Sequence, residues 1–408
     1  MAFRPEAAAP DHGFQGEGLL GIVEDDATTM FLAPHPERSV PSIRAQRIGD
    51  RLVVSADGPV DEIAAPDLAR ALSETATRLA ERARVARVRA LGPGWCSWYG
   101  YGPDVTDRVI ESNLAAIDRH ALRVDLIQVD DGYQAAIGDW LQPSGRLASL
   151  GATAARIRDT GREAGVWTAP FVVRTDARLA QEHPDWLVGD ALASDDHWGG
   201  PVRVLDVTHP DAAAHLVGVF RQLTELGYTF HKIDFLYGGA MQGTRHGQAD
   251  PIAAYREGLR LIREGVGPAS TILACGAPLL PSIGLVDAMR VSPDVDRASD
   301  PPEGDPSQPG ARSALAAGRA RAWTHGRLWV ADPDCLITDP AMPLRQTWAE
   351  HLAAFGGLSM SGDRLPELDA AGLASTRALL RPSRDLAAAW DPDAGPDGGR
   401  LRPGEVRT

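Results

Sequence analysis

Between residues 89 and 381 the sequence repeats one unit, in which a short apolar run is followed by a longer helical pattern. Alternation of this kind is typical of parallel strands joined by helices. The apolar runs lie at residues 89–99, 124–129, 165–173, 228–237, 270–275, 286–291, 327–331 and 357–360. Eight such units over about three hundred residues match the size of a (β/α)₈ TIM barrel, so the predicted fold class is α/β.

The repeat also divides the chain. Residues 1–90 are polar and Pro-rich, with one credible strand at 51–55 and a helix at 66–87. We expect a small N-terminal appendage there and the catalytic barrel at 91–381. The remaining stretch, 382–408, is rich in Pro, Gly and Asp, which predicts a flexible C-terminal tail.

Composition and charge exclude several classes of protein. Hydrophobic content of 44%, charged content of 24% and a mean hydropathy of -0.19 are typical of a soluble globular protein. The sequence starts without the pattern of a secretory signal, and no apolar run is long enough to span a membrane, so we expect a cytoplasmic protein. A net charge of -14 argues against nucleic-acid binding and suits a neutral ligand such as a sugar. The three cysteines are too far apart in sequence to predict a disulfide framework or a zinc cluster.

The fourth apolar run contains two charges where a buried strand should have none. Lys232 and Asp234 stand two residues apart near its C-terminal end, so they share one face of the strand. In a parallel barrel that face points inward, and charges at the C-terminal mouth usually serve chemistry. Lys232 is also the only lysine among the 41 Lys+Arg residues. The alternative is a structural ion pair, since buried charges are normally paired.

Further polar and aromatic residues follow the other strands. Asp130 and Asp131 end the second strand, where they can bind two sugar hydroxyls or a metal, or cap a helix. Arg290 and Asp294 lie at the end of the sixth. Trp98 lies at the end of the first, where it would either stack on a pyranose ring or pack in the core. The carboxyl ends of parallel strands meet at one mouth, which makes the joint pattern more informative than any single motif.

Read together, the strand ends resemble those of the retaining α-galactosidases of clan D, closest to the melibiase family, glycoside hydrolase family thirty-six. The resemblance spans residues 94–365. It rests on six motifs: Trp95-Cys96-Ser97-Trp98-Tyr99, Asp130-Asp131-Gly132-Tyr133, Val166-Trp167-Thr168-Ala169-Pro170, Lys232-Ile233-Asp234-Phe235, Arg290-Val291-Ser292-Pro293-Asp294 and Ala331-Asp332-Pro333-Asp334-Cys335-Leu336.

The resemblance implies a role for each matched residue. Asp234 corresponds to the nucleophile and Asp294 to the acid/base, with Asp296 as a rival for the second role. Asp130 and Asp131 correspond to the pair that holds the galactose 4- and 6-hydroxyls, and Cys275 lies where the family contacts the 2-hydroxyl. The full set of expected substrate-binding residues is Trp98, Asp130, Asp131, Trp167, Lys232, Cys275 and Arg290.

The chain also departs from that family. Its members carry a large N-terminal β-sandwich and a C-terminal β-domain; here the first is reduced to the stretch before Leu91, and we expect the second to be truncated or absent. Some members take substrate or oligomer contacts from those parts, and a homo-oligomer is therefore one possible assembly.

The expected reaction is hydrolysis of an α-galactoside or oligosaccharide by two carboxylates, with no cofactor and no metal. We expect Lys232 and Arg290 to keep Asp234 ionised, and Asp294 to lie on a less positive loop where it stays protonated. Three alternatives stay open: a galactosyltransferase of the raffinose-synthase type, an α-N-acetylgalactosaminidase, and a catalytically inactive sugar-binding barrel. A metal-dependent hydrolase is disfavoured, because no His-x-His or His-Glu-x-x-His pattern occurs among the 11 histidines.

Overall fold

A computed structural model describes residues 13–24, 27–305 and 307–383. The described part of the chain begins with short strands in two three-stranded antiparallel sheets, ordered β1-β4-β5 and β2-β3-β6. They are β1 (Gly13–Glu17), β2 (Leu19–Val23), β3 (Thr28–Leu32), β4 (Ser42–Ile48), β5 (Arg51–Ala56) and β6 (Asp61–Ala65), and they precede helix α1 (Leu68–Ala83). The sequence predicted only β5 and α1, because the other strands are short and several lack a clear alternation of buried and exposed residues.

The strands that follow form the barrel and one inserted sheet. They are β7 (Gly94–Cys96), β8 (Leu126–Val129), β9 (Glu163–Thr168), β10 (Val172–Arg174), β11 (Leu187–His197), β12 (Gly200–Leu205), β13 (Tyr228–Ile233), β14 (Thr271–Ala274), β15 (Ala288–Arg290), β16 (Val330–Asp332) and β17 (Met360–Ser361). Strands β10, β12 and β11 form a separate antiparallel sheet within the insertion after β9.

The remaining eight strands form one parallel sheet in the order β16-β15-β14-β13-β9-β8-β7-β17. Its two ends meet: the backbone N–H of Leu358 donates to the Ala331 carbonyl at 3.0 Å, and Leu336 bridges to Ser361 in parallel. The predicted (β/α)₈ barrel is therefore confirmed, and each predicted barrel strand overlaps an observed one.

Helices lie between the strands. They are α2 (Trp98–Tyr101), α3 (Asp107–Arg119), α4 (Leu150–Arg158), α5 (Arg178–Glu182), α6 (Pro210–Glu225), α7 (Pro251–Val266), α8 (Leu279–Ser282), α9 (Ala311–Arg321), α10 (Arg345–Phe355) and α11 (Ala370–Leu379). Local signals explain their starts: Asp250 accepts a hydrogen bond from the backbone of Ala253, and Pro251 occupies the first position of α7.

The helical pattern that the sequence shows at residues 151–164 is longer than the helix that forms there. Helix α4 ends at Arg158, and β9 already begins at Glu163. Gly161 adopts a φ of 79°, a left-handed conformation that glycine accepts without steric cost and that terminates the helix.

The described chain ends beside the start of the barrel, where Ser383 and Leu91 exchange two hydrogen bonds of 2.9 Å. From residue 384 onward the predicted tail lies outside the described residues. Within the described ranges, none of the helices combines the length and the apolar character needed to cross a membrane.

Candidate active site

Asp234 follows directly after β13 at the mouth of the barrel. Its Oδ1 accepts a 2.7 Å hydrogen bond from the backbone N–H of Phe235, and its Oδ2 accepts one of 3.1 Å from the indole of Trp167. The Lys232 ammonium lies 3.9 Å from Oδ2. Phe235 has a φ of 51°, so the chain turns sharply at this point. These contacts fix the orientation of the carboxylate, and they bring together three residues that the sequence predicted for one site.

Lys232 also joins β13 to β8. Its ammonium donates to Asp130 Oδ2 at 2.9 Å, and the two side chains are only 5% and 2% exposed. Burial opposes both charges, yet the lysine holds the pKa of Asp130 below its ordinary value, and Asp130 raises the pKa of Lys232 despite burial. The same Oδ2 accepts from the amide of Gln128 at 2.6 Å and from the thiol of Cys96 at 3.4 Å. The lysine is thus a fixed, charged element of the mouth.

Asp131 is held by a residue that the sequence did not predict. Its Oδ1 accepts from the Gln134 amide at 2.6 Å, and its Oδ2 accepts from the indole N–H of Trp198 at 2.7 Å. Burial is the main cause of a raised pKa at Asp131, which these hydrogen bonds oppose. Trp198 lies in the turn between β11 and β12 with a φ of 56°. The insertion therefore folds over the mouth and supplies part of the site.

Aromatic side chains form one wall of the mouth. The ring of Trp198 lies 4.6 Å from that of Phe235 and 6.3 Å from that of Trp167, measured between centroids. Trp98, predicted as a sugar platform, begins α2 and is partly buried against the apolar cluster that contains Cys96. Its role in sugar binding stays a prediction.

Arg290 at the end of β15 contacts three carboxylates. Its Nε donates to Asp332 Oδ2 at 2.8 Å, Nη1 donates to Asp294 Oδ1 at 3.1 Å, and Nη2 lies 2.9 Å from Asp334 Oδ1. The expectation that Asp294 lies on a less positive loop is therefore wrong, since the guanidinium of Arg290 touches Asp294 itself. Two hydrogen bonds and one ion pair thus fix the guanidinium among the three carboxylates.

Asp294 is open to solvent but crowded by protein. Its side chain is 41% exposed. Desolvation nonetheless raises its pKa, and the negative charges of Asp234 and Asp130 act in the same direction against Arg290 and Lys232. The rival residue, Asp296, is exposed, and its Oδ1 accepts from the backbone N–H of Ala298 at 3.0 Å.

Cys275 follows β14, between the strands that carry Asp234 and Asp294. Its side chain is buried at 5% exposure, and burial is the main cause of a raised thiol pKa, followed by the negative charge of Asp234. The next residue, Gly276, has a φ of 56°, and a Cβ there would lie 3.3 Å from Asp234 Oδ1. The backbone after β14 therefore approaches Asp234 more closely than a bulkier residue would permit.

The pair of acids at the C-terminal end of β16, Asp332 and Asp334, was noticed in the sequence but given no role. Asp332 and Asp334 are 1% and 0% exposed, and both contact Arg290. The hydroxyl of Tyr99 also donates to Asp334 Oδ2. Among the described residues, no cluster of three or more His, Cys, Asp or Glu side chains is arranged to hold a metal ion.

Comparison with known proteins adds a family match. Residues 96–242 match the family model of the melibiases. The myogenesis-regulating glycosidase of Mus musculus is 27% identical over 136 residues, which is 32% of this chain and 19% of that protein. The α-galactosidase of Escherichia coli is 26% identical over 103 residues, 22% of this chain and 13% of the relative. The matched segment thus spans a fifth or less of these curated relatives.

Solved structures match more of the chain. The α-galactosidase of Thermus thermophilus, in complex with p-nitrophenyl α-D-galactopyranoside, has a TM-score of 0.74 at 29% identity and covers 91% of this chain and 77% of its own. The same enzyme in complex with stachyose has a TM-score of 0.75. The chain is therefore similar in fold, strand-end motifs and sequence to known α-galactosidases. The predicted resemblance to the melibiase family is confirmed.

Proposed function

We propose that the protein is a retaining glycoside hydrolase that cleaves terminal α-D-galactosides. The observation that carries the proposal is that Asp234 directly follows β13 and Asp294 lies on the loop after β15, the two strands on either side of β14. Burial is the main cause of the raised pKa of the Cys275 thiol, and the negative charges of both acids act in the same direction. Two carboxyl groups at one barrel mouth are sufficient to hydrolyse a glycosidic bond without a cofactor.

Asp234 is the proposed nucleophile. Donors on both of its oxygens and the Lys232 ammonium at 3.9 Å stabilise a carboxylate in one orientation. In the first step one carboxylate oxygen forms a bond to the anomeric carbon as the bond to the leaving oxygen breaks, which gives a covalent glycosyl-enzyme. Water then releases the sugar with its original α configuration.

Asp294 is the proposed acid/base. A raised pKa favours the protonated form that donates to the leaving oxygen, and the exposed 41% of its side chain leaves access for water in the second step. Asp296 is a weaker candidate, because it is exposed and engaged with the backbone of its own turn.

The substrate assignment is supported by the acceptors left on two carboxylates. Each carboxylate oxygen accepts about two hydrogen bonds. Asp131 uses one acceptor position on each oxygen, and Asp130 Oδ1 uses one for the backbone of Asp131. Positions therefore stay available for adjacent sugar hydroxyls. The substrates bound by the Thermus relative, an aryl α-galactoside and stachyose, support α-galactosides and oligosaccharides as the class.

The test begins with aryl α- and β-glycosides, including α-galactoside and α-N-acetylgalactosaminide, assayed with the full chain. Wild type should hydrolyse the α-galactoside and release α-galactose first. Asp234→Gly should be inactive and be partly rescued by azide, giving the β-galactosyl azide. Activity on none of the glycosides would refute hydrolysis of this class, and release of β-galactose first would refute retention.

The acid/base assignment needs a separate variant. Asp294→Ala should keep the first step on an activated aryl galactoside but slow the second, since general acid/base help is typically worth about 10²–10⁴-fold. Azide should then give the α-galactosyl azide. Asp296→Ala is the matched control on the same loop. If Asp296→Ala shows this behaviour and Asp294→Ala does not, the assignment is wrong while the retaining mechanism stands. New oligosaccharides formed with an acceptor sugar would instead indicate a transferase.

A further inference from the structure

The side chain of Arg290 is only 4% exposed. A single guanidinium faces three carboxylates within 3.1 Å: those of Asp294, Asp332 and Asp334. One positive charge shared among three negative ones cannot stabilise each of them fully. How strongly Arg290 stabilises the Asp294 carboxylate therefore depends on the other two acids.

Asp334 also holds the loop that carries Asp294. Its Oδ2 accepts from the backbone N–H of Val295, the residue after Asp294, at 2.7 Å. Its Oδ1 accepts from the N–H of Cys335 at 2.6 Å, and the Tyr99 hydroxyl donates to Oδ2. Asp334 adopts a φ of 95°, a conformation that costs free energy in any residue other than glycine and persists only where the surroundings impose it.

The other charged and titratable groups around Asp294 come from several barrel elements. Burial is the main cause of the raised pKa values of both Asp294 and Asp334. Arg290 lowers both pKa values, and the negative charge of Asp294 raises that of Asp334. The groups that act on this cluster are Tyr99 of α2, Asp130 after β8, Lys232 and Asp234 of the β13 end, Cys275 after β14, Asp332 of β16 and Cys335 after it.

We propose that Asp334, held by Tyr99, is a positioning residue that keeps Asp294 protonated by competing for Arg290 and fixes its place through the backbone of Val295. The proposal rests on the proposed function of Asp294 as acid/base. Asp334 touches no substrate in this scheme and acts only through its neighbours.

The sign of the effect follows from the charges. In Asp334→Asn the amide oxygen can still accept a hydrogen bond, but the negative charge is lost. Arg290 then interacts more strongly with Asp294, and one carboxylate that disfavours its ionisation is gone, so the pKa of Asp294 falls. Tyr99→Phe removes a donor that stabilises the Asp334 carboxylate. Asp334 then carries less negative charge, which should also lower the pKa of Asp294, but by less than in Asp334→Asn.

The experiment is the pH profile of kcat/KM for wild type, Asp334→Asn and Tyr99→Phe, each confirmed as folded by circular dichroism. The basic limb of that profile reports the essential acid of the free enzyme. We expect it to move to lower pH by about one unit in Asp334→Asn and by less in Tyr99→Phe. On the basic limb, a poorly activated alkyl α-galactoside should lose at least about tenfold in kcat/KM, while a dinitrophenyl α-galactoside should change little.

The matched control is Asp339→Asn. Asp339 holds the same loop through Arg297, whose Nε donates to it at 2.9 Å, but Asp339 does not contact Arg290. Its pH profile should stay that of wild type. An unshifted basic limb in Asp334→Asn, with equal losses on both substrates, would overturn the proposal. If Asp334→Asn does not fold, an unshifted limb in Tyr99→Phe overturns it instead. A wild type inactive on every glycoside refutes the proposed function, a separate outcome.

Discussion

The hydrogen bond between Trp198 and Asp131 gives a prediction that separates positioning from packing. Trp198→Phe removes the indole N–H that donates to Asp131 Oδ2 at 2.7 Å, but it keeps an aromatic ring near Phe235. A hydrogen bond to a charged group contributes about 1.5–3 kcal/mol. Asp131 retains its second donor, Gln134, at 2.6 Å, so we take the lower end of this range. That corresponds to about a tenfold loss of kcat/KM on an α-galactoside.

The assay compares the loss of kcat/KM that Trp198→Phe causes on an α-galactoside with the losses it causes on the 4-deoxy and 6-deoxy analogues. If Asp131 binds one of these hydroxyls, the loss should be smaller for the analogue that lacks it, because the misplaced carboxylate then has nothing to bind. Trp186→Phe is the matched control: this indole lies in the Pro184–Trp186 turn of the insertion and packs against His183. An equal loss of kcat/KM on all three substrates would show that Trp198 only packs in the aromatic wall of the mouth and does not position Asp131.

Lys232→Met should leave the buried Asp130 carboxylate unpaired and lower the free energy of unfolding by about 3–5 kcal/mol, measured by urea denaturation; a loss below 1 kcal/mol would contradict a buried ion pair. His351 is buried between aromatic rings, and desolvation lowers its pKa to about 4. Because the unfolded state binds this proton more tightly, stability should fall as the pH drops from about 6.5 to 4, by up to about 3 kcal/mol, and His351→Phe should flatten that slope in urea midpoints; an unchanged slope would contradict it. The buried Cys275 thiol should favour galactose over N-acetylgalactosamine, and comparable kcat/KM values on the two aryl α-glycosides would contradict this expectation.

Much of the fold could be predicted from the sequence because each barrel unit carries its own local signal. In β13 the residues Tyr228, Phe230 and Ile233 are fully or almost fully buried, as the continuous apolar run predicted. Asp130 and Lys232 also stood out without any structure. A charge inside such a run violates the pattern, and a violation near a strand's C-terminal end points to the mouth of the barrel.

The N-terminal sheets show where local pattern fails. Among the described residues before position 66 there are six strands, but the sequence predicted only one of them, at 51–55. Exposed edges such as those of Gly13–Glu17 and Leu19–Val23 leave no consistent period of burial. These strands form because they pair with distant segments of the chain. The hydrophobic period of one segment does not show which segments it pairs with.

The charge partners in the site were decided by tertiary structure. The sequence identified Arg290 and Asp294 as site residues, but it could not show that Arg290 contacts Asp332 and Asp334, which lie 42 and 44 positions further along the chain. Nor could it show that the insertion brings Trp198 onto Asp131, 67 residues away in sequence. Hydropathy records which face of an element is buried, whereas hydrogen-bond partners depend on how distant elements are packed. The residue types at the mouth were therefore readable from the sequence, and the network that sets their charge arose only when the strand ends and the inserted hairpin came together.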